Sequence, residues 1–402
     1  MNTNNTALRQ ITLPTRLPKV GTTIFTVMSA LANEHQAINL GQGFPDFGCD
    51  PALPEAVHQA MLAGHNQYPP MAGVGVLREG ISKKISALYG KTYHADTEIT
   101  ITAGGTQGIF TVIASAIGPG DEVIVIEPVY DSYVPAIDTV GGKSIPVQLI
   151  VNRDAGGKIT GYEIPWDAIS QAITPRTKMI MINSPHNPTG MVWESEDLNK
   201  LADIVRNTNI LICSDEVYEH MVYDGKDHQS IARHPELAER SFVISSFGKT
   251  YHVTGWKVGY VAAPAQLTHE FRKVHQFNVF TVNTPMQYGL AKYLETAGHY
   301  LNLPKFYERK RDYLRAGLAK TKFHLLPTPG TYFQCIDYTQ LGIPESQLNS
   351  ADFCQWLTKE IGVAAIPVSA FYGNPVESGV IRFCFAKKEE TLAEALKRLS
   401  VL

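Results

Sequence analysis

Five side chains in this sequence could bind an anion or move a proton, and each lies in or just after an apolar run. Lys249 stands in "VISSFGKTYH", Asp215 and Tyr218 in "ILICSDEVY", Asn187 in "MIMINSPHNPTG" and Arg382 in "GVIRFCFA". A further apolar run, "ITITAGGTQ", closes on Gly104, Gly105 and Thr106. If these runs are strands of an open α/β sheet, their carboxyl ends line one crevice, where such sheets bind ligands. One cleft would then collect glycines, an amide, a carboxylate, a phenol and an amine.

Each feature taken alone has two readings. Lys249 resembles the lysine of a phosphate-binding loop, but that motif needs glycine at position 243, which is Val243. The dinucleotide fingerprint fails as well, because "GQGFPD" and "GVGVLR" carry Asp46 and Arg78 where the third glycine belongs. What remains is a surface lysine or a reactive amine. A lysine after a buried strand, between small residues, is seldom there unless paired or reactive. Asp215 could cap a helix over "EVYEHMV" or act as counter-ion to a buried protonated ring nitrogen. "AGGTQ" could be a tight turn, or a helix N-terminus that holds a phosphate with Ser246 and Lys257. The two X-Pro units of "NSPHNPTG" predict a rigid, extended segment that fixes Asn187. Strand alternation puts Val380, Arg382 and Cys384 on one face. Arg382 there either binds a carboxylate bidentately or faces solvent at an edge.

The elements that must position these groups follow a rhythm from about residue 98. "EITITAGG", "DEVIVIEP", "TKMIMINSP", "NILICSDE", "RSFVISSFG" and "KVGYVAAP" read as strands, separated by helical patterns such as "SEDLNKLADIVRNT". This is an α/β pattern with a mostly parallel sheet covered on both faces. A large unit is expected over residues 51–290. Beyond it, the long helix "KFYERKRDYLRAGLAK" and the strand-like "GTYFQCIDY" and "VIRFCFA" predict a smaller α+β unit over 291–402. Residues 1–50 are loop-rich apart from a helix at "FTVMSALANEH" and are expected to pack on that smaller unit or a partner.

Bulk composition narrows the function classes. The chain has 402 residues, a net charge of −3 and 18% charged residues, below the usual quarter or so. No basic field invites nucleic acid, and no apolar run approaches a membrane span. The start shows no signal-peptide pattern. Five cysteines without CxxC spacing argue against a disulfide framework or a zinc site, so the expectation is a cytoplasmic protein with no metal.

The blocks "NLGQGFPDF", "NQYPPMAGVGVLRE", "TAGGTQ", "EPVYDSY", "NSPHNPTG", "SDEVYEH", "SSFGKTYHVTGWKVGY", "GTYF" and "IRFCFAK" occur in one order across nearly the whole chain. In order and spacing the chain resembles the class I/II, fold type I aminotransferases that use pyridoxal 5′-phosphate, above all the methionine and kynurenine/glutamine aminotransferases. The resemblance implies a PLP-dependent transferase fold with a mostly parallel, seven-stranded sheet and a smaller α+β unit. It implies that Lys249 attaches to the cofactor's aldehyde and Asp215 pairs with its ring nitrogen. Asn187 and Tyr218 would bond its phenolic oxygen, and Tyr130 would stack on the ring. Gly105, Thr106, Ser246 and Lys257 would hold the phosphate, with Tyr68 reaching the neighbouring subunit's phosphate. Arg382, Asn187 and the backbone at Gly43 would bind the substrate carboxylate. Lys257 departs from the arginine common in relatives and loses bidentate geometry.

The same resemblance implies a homodimer in which Tyr68 and Phe280 serve the opposite site. The substrates would be amino acids and 2-oxo acids. "NVFTVNTP", at 278–285, lacks the second arginine of dicarboxylate specialists, and Arg272 has no place assigned by sequence. Phe25, Tyr68, Tyr130 and Phe280 are aromatic and suit methionine or aromatic donors. A β-lyase using the same cofactor is the alternative.

Overall fold

The computed structural model of the chain describes residues 14–18, 20–374 and 376–402. Its central sheet contains β1 (Ile99–Thr102), β2 (Glu122–Glu127), β3 (Lys143–Gln148), β4 (Thr177–Asn183), β5 (Leu211–Asp215), β6 (Ser241–Ser246) and β7 (Gly259–Ala262). The order is β1-β7-β6-β5-β4-β2-β3. β7 runs antiparallel to both its neighbours, and the other pairs are parallel. The expected seven-stranded, mostly parallel sheet is present.

The pleat explains why these strands read as unbroken apolar runs. In β2, Val123 and Val125 enter one core while Ile124 and Ile126 enter the other. Helices cover both faces, so neither parity of side chain meets water. β3 was not among the six strands legible as apolar runs. It is an edge strand with Pro146 in it and mostly exposed or half-buried residues. An edge tolerates a proline because one side of the strand has no ladder to complete.

A second, antiparallel sheet is built from β8 (His324–Leu325), β9 (Phe333–Asp337), β10 (Ile366–Pro367) and β11 (Val380–Cys384), in the order β8-β9-β11-β10. Its core holds Tyr307 and Leu314 of the helix Leu303–Leu318 together with Ile336 and Phe383. Met28 and Leu40 join it from the N-terminal side, as do Tyr218 and Met221 from the loop after β5. That loop therefore ties the carboxyl end of the central sheet to the second core.

Two local expectations are corrected. "EVYEHMV" forms turns, not a helix, so Asp215 caps nothing. "NSPHNPTG" is not extended but folds into a turn over Asn187–Thr189. His186 N donates to Met191 O at 2.8 Å and Gly190 N donates to His186 O at 2.8 Å, closing it. The Asn183 side chain holds it from inside by accepting from Asn187 N at 2.7 Å. The prolyl bonds of Pro185 and Pro188 are both cis.

Candidate active site

The carboxyl ends of β1, β4, β5 and β6 meet in one cleft of about 700 Å³. β4 and β5 are in register so that Asn183 lies opposite Asp215. Asn183 Nδ2 donates to Asp215 O at 2.8 Å. The Asp215 carboxylate is fully enclosed, and burial pushes its pKa up to about 6 against the hydrogen bonds that hold it down. Tyr133 Oη donates to its Oδ2 at 2.5 Å and Val217 N to its Oδ1 at 3.3 Å.

Lys249 lies just past β6 in a single helical turn, Phe247–Thr250. Its Nζ donates to Tyr332 Oη at 3.0 Å and to Gly43 O at 3.2 Å. Both acceptors are neutral. Desolvation lowers its pKa to about 8, which leaves part of the amine uncharged near neutral pH. Tyr218 is buried beside it, with Nζ 5.7 Å from its ring centre. Tyr130, also at the cleft, packs edge-on against Tyr133 at 5.8 Å.

The far wall is built from backbone and hydroxyls. The helix Gly104–Ala116 starts directly after β1, and Gly105, Thr106 and Ser246 face the cleft. Gly104 has φ +79°, a conformation only glycine adopts without strain. Lys257 is itself left-handed, with φ +54°, and its Nζ would lie 3.3 Å from a Cβ on Gly104. Gly259 is required by close approach. A Cβ there would meet Ser245 O at 2.6 Å and Gly105 N at 3.2 Å.

A recess of about 480 Å³ opens beside Lys249, lined in part by Phe25, Gly43, Phe333 and Arg382. Arg382 is 1% exposed, on the central antiparallel pair β9–β11. Its Nη1 donates to Asn187 Oδ1 at 2.6 Å and its Nη2 to Gly41 O at 3.1 Å, while Nε has no partner among the described residues. The guanidinium stacks 3.8 Å from the Phe333 ring centre. The solvent-facing alternative for Arg382 is thereby excluded.

Nine of the predicted residues line the main cleft, and Gly43, Phe25 and Arg382 line the recess beside it. Tyr68 does not reach this chain's own cleft. It is 81% exposed and packs 5.4 Å from Phe280, outside it. Arg272 is also remote, donating to Thr100 Oγ1, Asp96 O and Ile99 O. Sequence reading missed Asn183, Tyr133, Tyr332 and Phe333. Asn183 had a signal, since it ends the apolar run itself. The others lie in the blocks "EPVYDSY" and "GTYF" but had no role assigned, because their contacts come from distant segments.

A family model described as aminotransferase class I and II matches residues 35–399. The chain is 47% identical over 401 residues to the methionine aminotransferase of Escherichia coli, covering 100% of both. It is 38% identical over 397 residues to a probable N-succinyldiaminopimelate aminotransferase of Mycobacterium tuberculosis, covering 96% of this chain and 98% of that one. The crystal structure of an E. coli protein reported to have a methionine aminotransferase function superposes with a TM-score of 0.93 at 45% identity, covering 98% and 100% of the two chains. Fold and cleft together define a fold type I transferase that works with pyridoxal 5′-phosphate. The chain belongs to the class I and II aminotransferases, and it is an enzyme that acts on small amino and 2-oxo acids. Among the described residues no helix is long and apolar enough to cross a membrane.

The residues present fit that cofactor. A buried amine with only neutral partners suits an aldehyde. A buried carboxylate without a cationic partner among the described residues suits a basic ring nitrogen. The glycine turn, hydroxyls and Lys257 suit a phosphate.

Proposed function

We propose that this aminotransferase acts on an amino acid with an apolar or aromatic side chain, methionine foremost, with a 2-oxo acid as acceptor. The observation that carries the reading is the placement of Lys249: it lines both the cleft of about 700 Å³ and the recess that contains Arg382. The recess is walled by Phe25, Tyr130, Tyr218 and Phe333, which favours an apolar or aromatic side chain. The E. coli relatives named for methionine support the same choice.

The cofactor, when bound, supplies an electron sink for the carbanion formed at the substrate Cα. The protein's own residues do the rest. Lys249 would hold the cofactor, and its amine is the base placed to take the proton from Cα, where a positioned base is worth about 10²–10⁴-fold. Asp215, oriented by Tyr133, would stabilise a positive ring nitrogen and so keep the sink effective. Asn187 and Tyr218 would bond the ring's phenolic oxygen, with Asn183 holding Asn187 in place, and Tyr130 would stack on the ring. Gly105, Thr106, Ser246 and Lys257 would hold the phosphate. Arg382 meets the α-carboxylate with its free Nε–H, backed by Asn187 and Gly43, and so fixes the Cα–H bond relative to the base.

The same reading makes the enzyme a cytoplasmic homodimer. The exposed Tyr68–Phe280 pair supports a second copy whose site it completes. A division near residues 50 and 290 belongs to it too: the two sheets have separate cores, although Tyr293, Leu294 and Tyr300 still pack in the larger one. The test is a panel of twenty amino donors against two 2-oxo acceptors. A sharp preference for aspartate would rule the proposal out. Pyruvate released from a cysteine conjugate without any acceptor would favour the β-lyase instead.

A further inference from the structure

The substrate recess contains one charged group that the reaction has not used. Asp131 follows Tyr130 and lines the recess with Phe25, Phe333 and Arg382. Among the described residues its carboxylate makes no salt bridge and no hydrogen bond to another residue. Burial raises its pKa, and the guanidinium of Arg382 pulls the other way. Asp131 is therefore within electrostatic reach of Arg382 without occupying it, since both Nη atoms are given to Asn187 and Gly41. The recess offers Lys249 and Arg382 as cations, one committed to the cofactor and one to the α-carboxylate.

We propose that Asp131 determines substrate class: its carboxylate turns away amino and 2-oxo acids that carry a distal carboxylate and leaves neutral side chains admitted. The inference rests on the reading of this recess as the substrate site. Once the α-carboxylate has neutralised Arg382, a second carboxylate meets like charge between aromatic walls, where water screens poorly. A thioether, an alkyl chain or an aromatic ring meets no such repulsion. Specificity of this kind comes from a repulsive element against the competitor, not from a new contact to the favoured substrate.

The test uses the cofactor-loaded enzyme and the variants Asp131→Asn and Asp131→Glu. Two ratios are read: kcat/KM for glutamate over methionine, and calorimetric affinity for glutarate over hexanoate. Asp131→Asn should move both ratios toward the dicarboxylate by about tenfold or more, the scale of one partly screened like-charge contact. Asp131→Glu keeps the charge and should leave both ratios within about threefold of the wild type. If both ratios in Asp131→Asn stay within about twofold of the wild type, the proposal is overturned. The inhibitor ratio decides the matter even where the variant turns over slowly. A wild type that prefers glutamate to methionine would defeat the substrate reading itself, separately from any shift in the variant.

Discussion

The hydroxyl of Tyr133 lies 2.5 Å from Oδ2 of Asp215, and both side chains are buried. With Val217 N on the other oxygen, the carboxylate has its orientation settled before any ligand arrives. No cation pairs with it among the described residues, and burial holds its pKa near 6. Tyr133→Phe removes a donor to the charged form, so the carboxyl pKa must rise further. Cofactor affinity should fall about tenfold or more, the scale of a hydrogen bond to a charged group. The acid limb of cofactor binding should move to higher pH, because the pairing form of Asp215 is the ionised one. Spectroscopic titration of the cofactor-free protein across pH checks both effects, and a purely structural role would leave the limb unmoved.

Asp215→Asn keeps the shape of the side chain and deletes its charge. The variant should still take up cofactor but lose about 10²–10³-fold in kcat, as for other preorganised electrostatic partners. Steady-state kinetics on the loaded variant decide it, and near-normal turnover contradicts the role.

Lys249→Ala should abolish both the visible absorbance of the bound cofactor and multiple turnover. In the wild type, the rate of cofactor capture should rise with pH and level off above about 8. The attacking amine must be neutral, and desolvation has brought its pKa down to about 8. Stopped-flow capture rates against pH measure this. A rate independent of pH would count against an amine of that pKa.

Arg382→Lys retains a positive charge and loses the fork. The lysine cannot serve Asn187 Oδ1, Gly41 O and a substrate at once. KM should rise about ten- to a hundredfold for amino donor and 2-oxo acceptor alike, the worth of one to two charged hydrogen bonds. An increase confined to one of the two substrates would contradict a shared carboxylate anchor.

Gly259→Ala places a methyl group 2.6 Å from Ser245 O and against the turn at Gly104–Gly105. Relief requires moving β6 or the phosphate turn, at a cost of about 1–3 kcal/mol. The melting temperature should fall, and the affinity for the cofactor should fall with it. A drop in stability with no change in affinity would show that β6 moves and the turn does not.

The site was legible where chemistry sits next to an apolar run in the chain. Lys249, Asp215 and Asn187 follow β6, β5 and β4 closely, and the crevice rule for parallel sheets brings them together without further information. It was illegible where a contact joins distant segments. Tyr133 reaches Asp215 across 82 residues and Tyr332 reaches Lys249 across 83. β3 was obscured because an edge strand with a proline carries no apolar signature. The form of "NSPHNPTG" was misread because proline restricts its neighbour locally, whereas the turn is closed by His186, Met191 and Asn183.

Residue types and their alternation determined the class of fold, the face each strand side chain would take and the inventory of reactive groups, because those properties depend on short-range sterics and burial alone. Only the tertiary structure decided which groups share a cavity, and that Arg382 is buried with its Nε–H unpaired among the described residues while Asp131 lines the same recess. It also decided that Tyr68 lies outside it. Desolvation and hydrogen-bond geometry depend on atoms from segments far apart in the chain, and these are what set the charge and aim of each group.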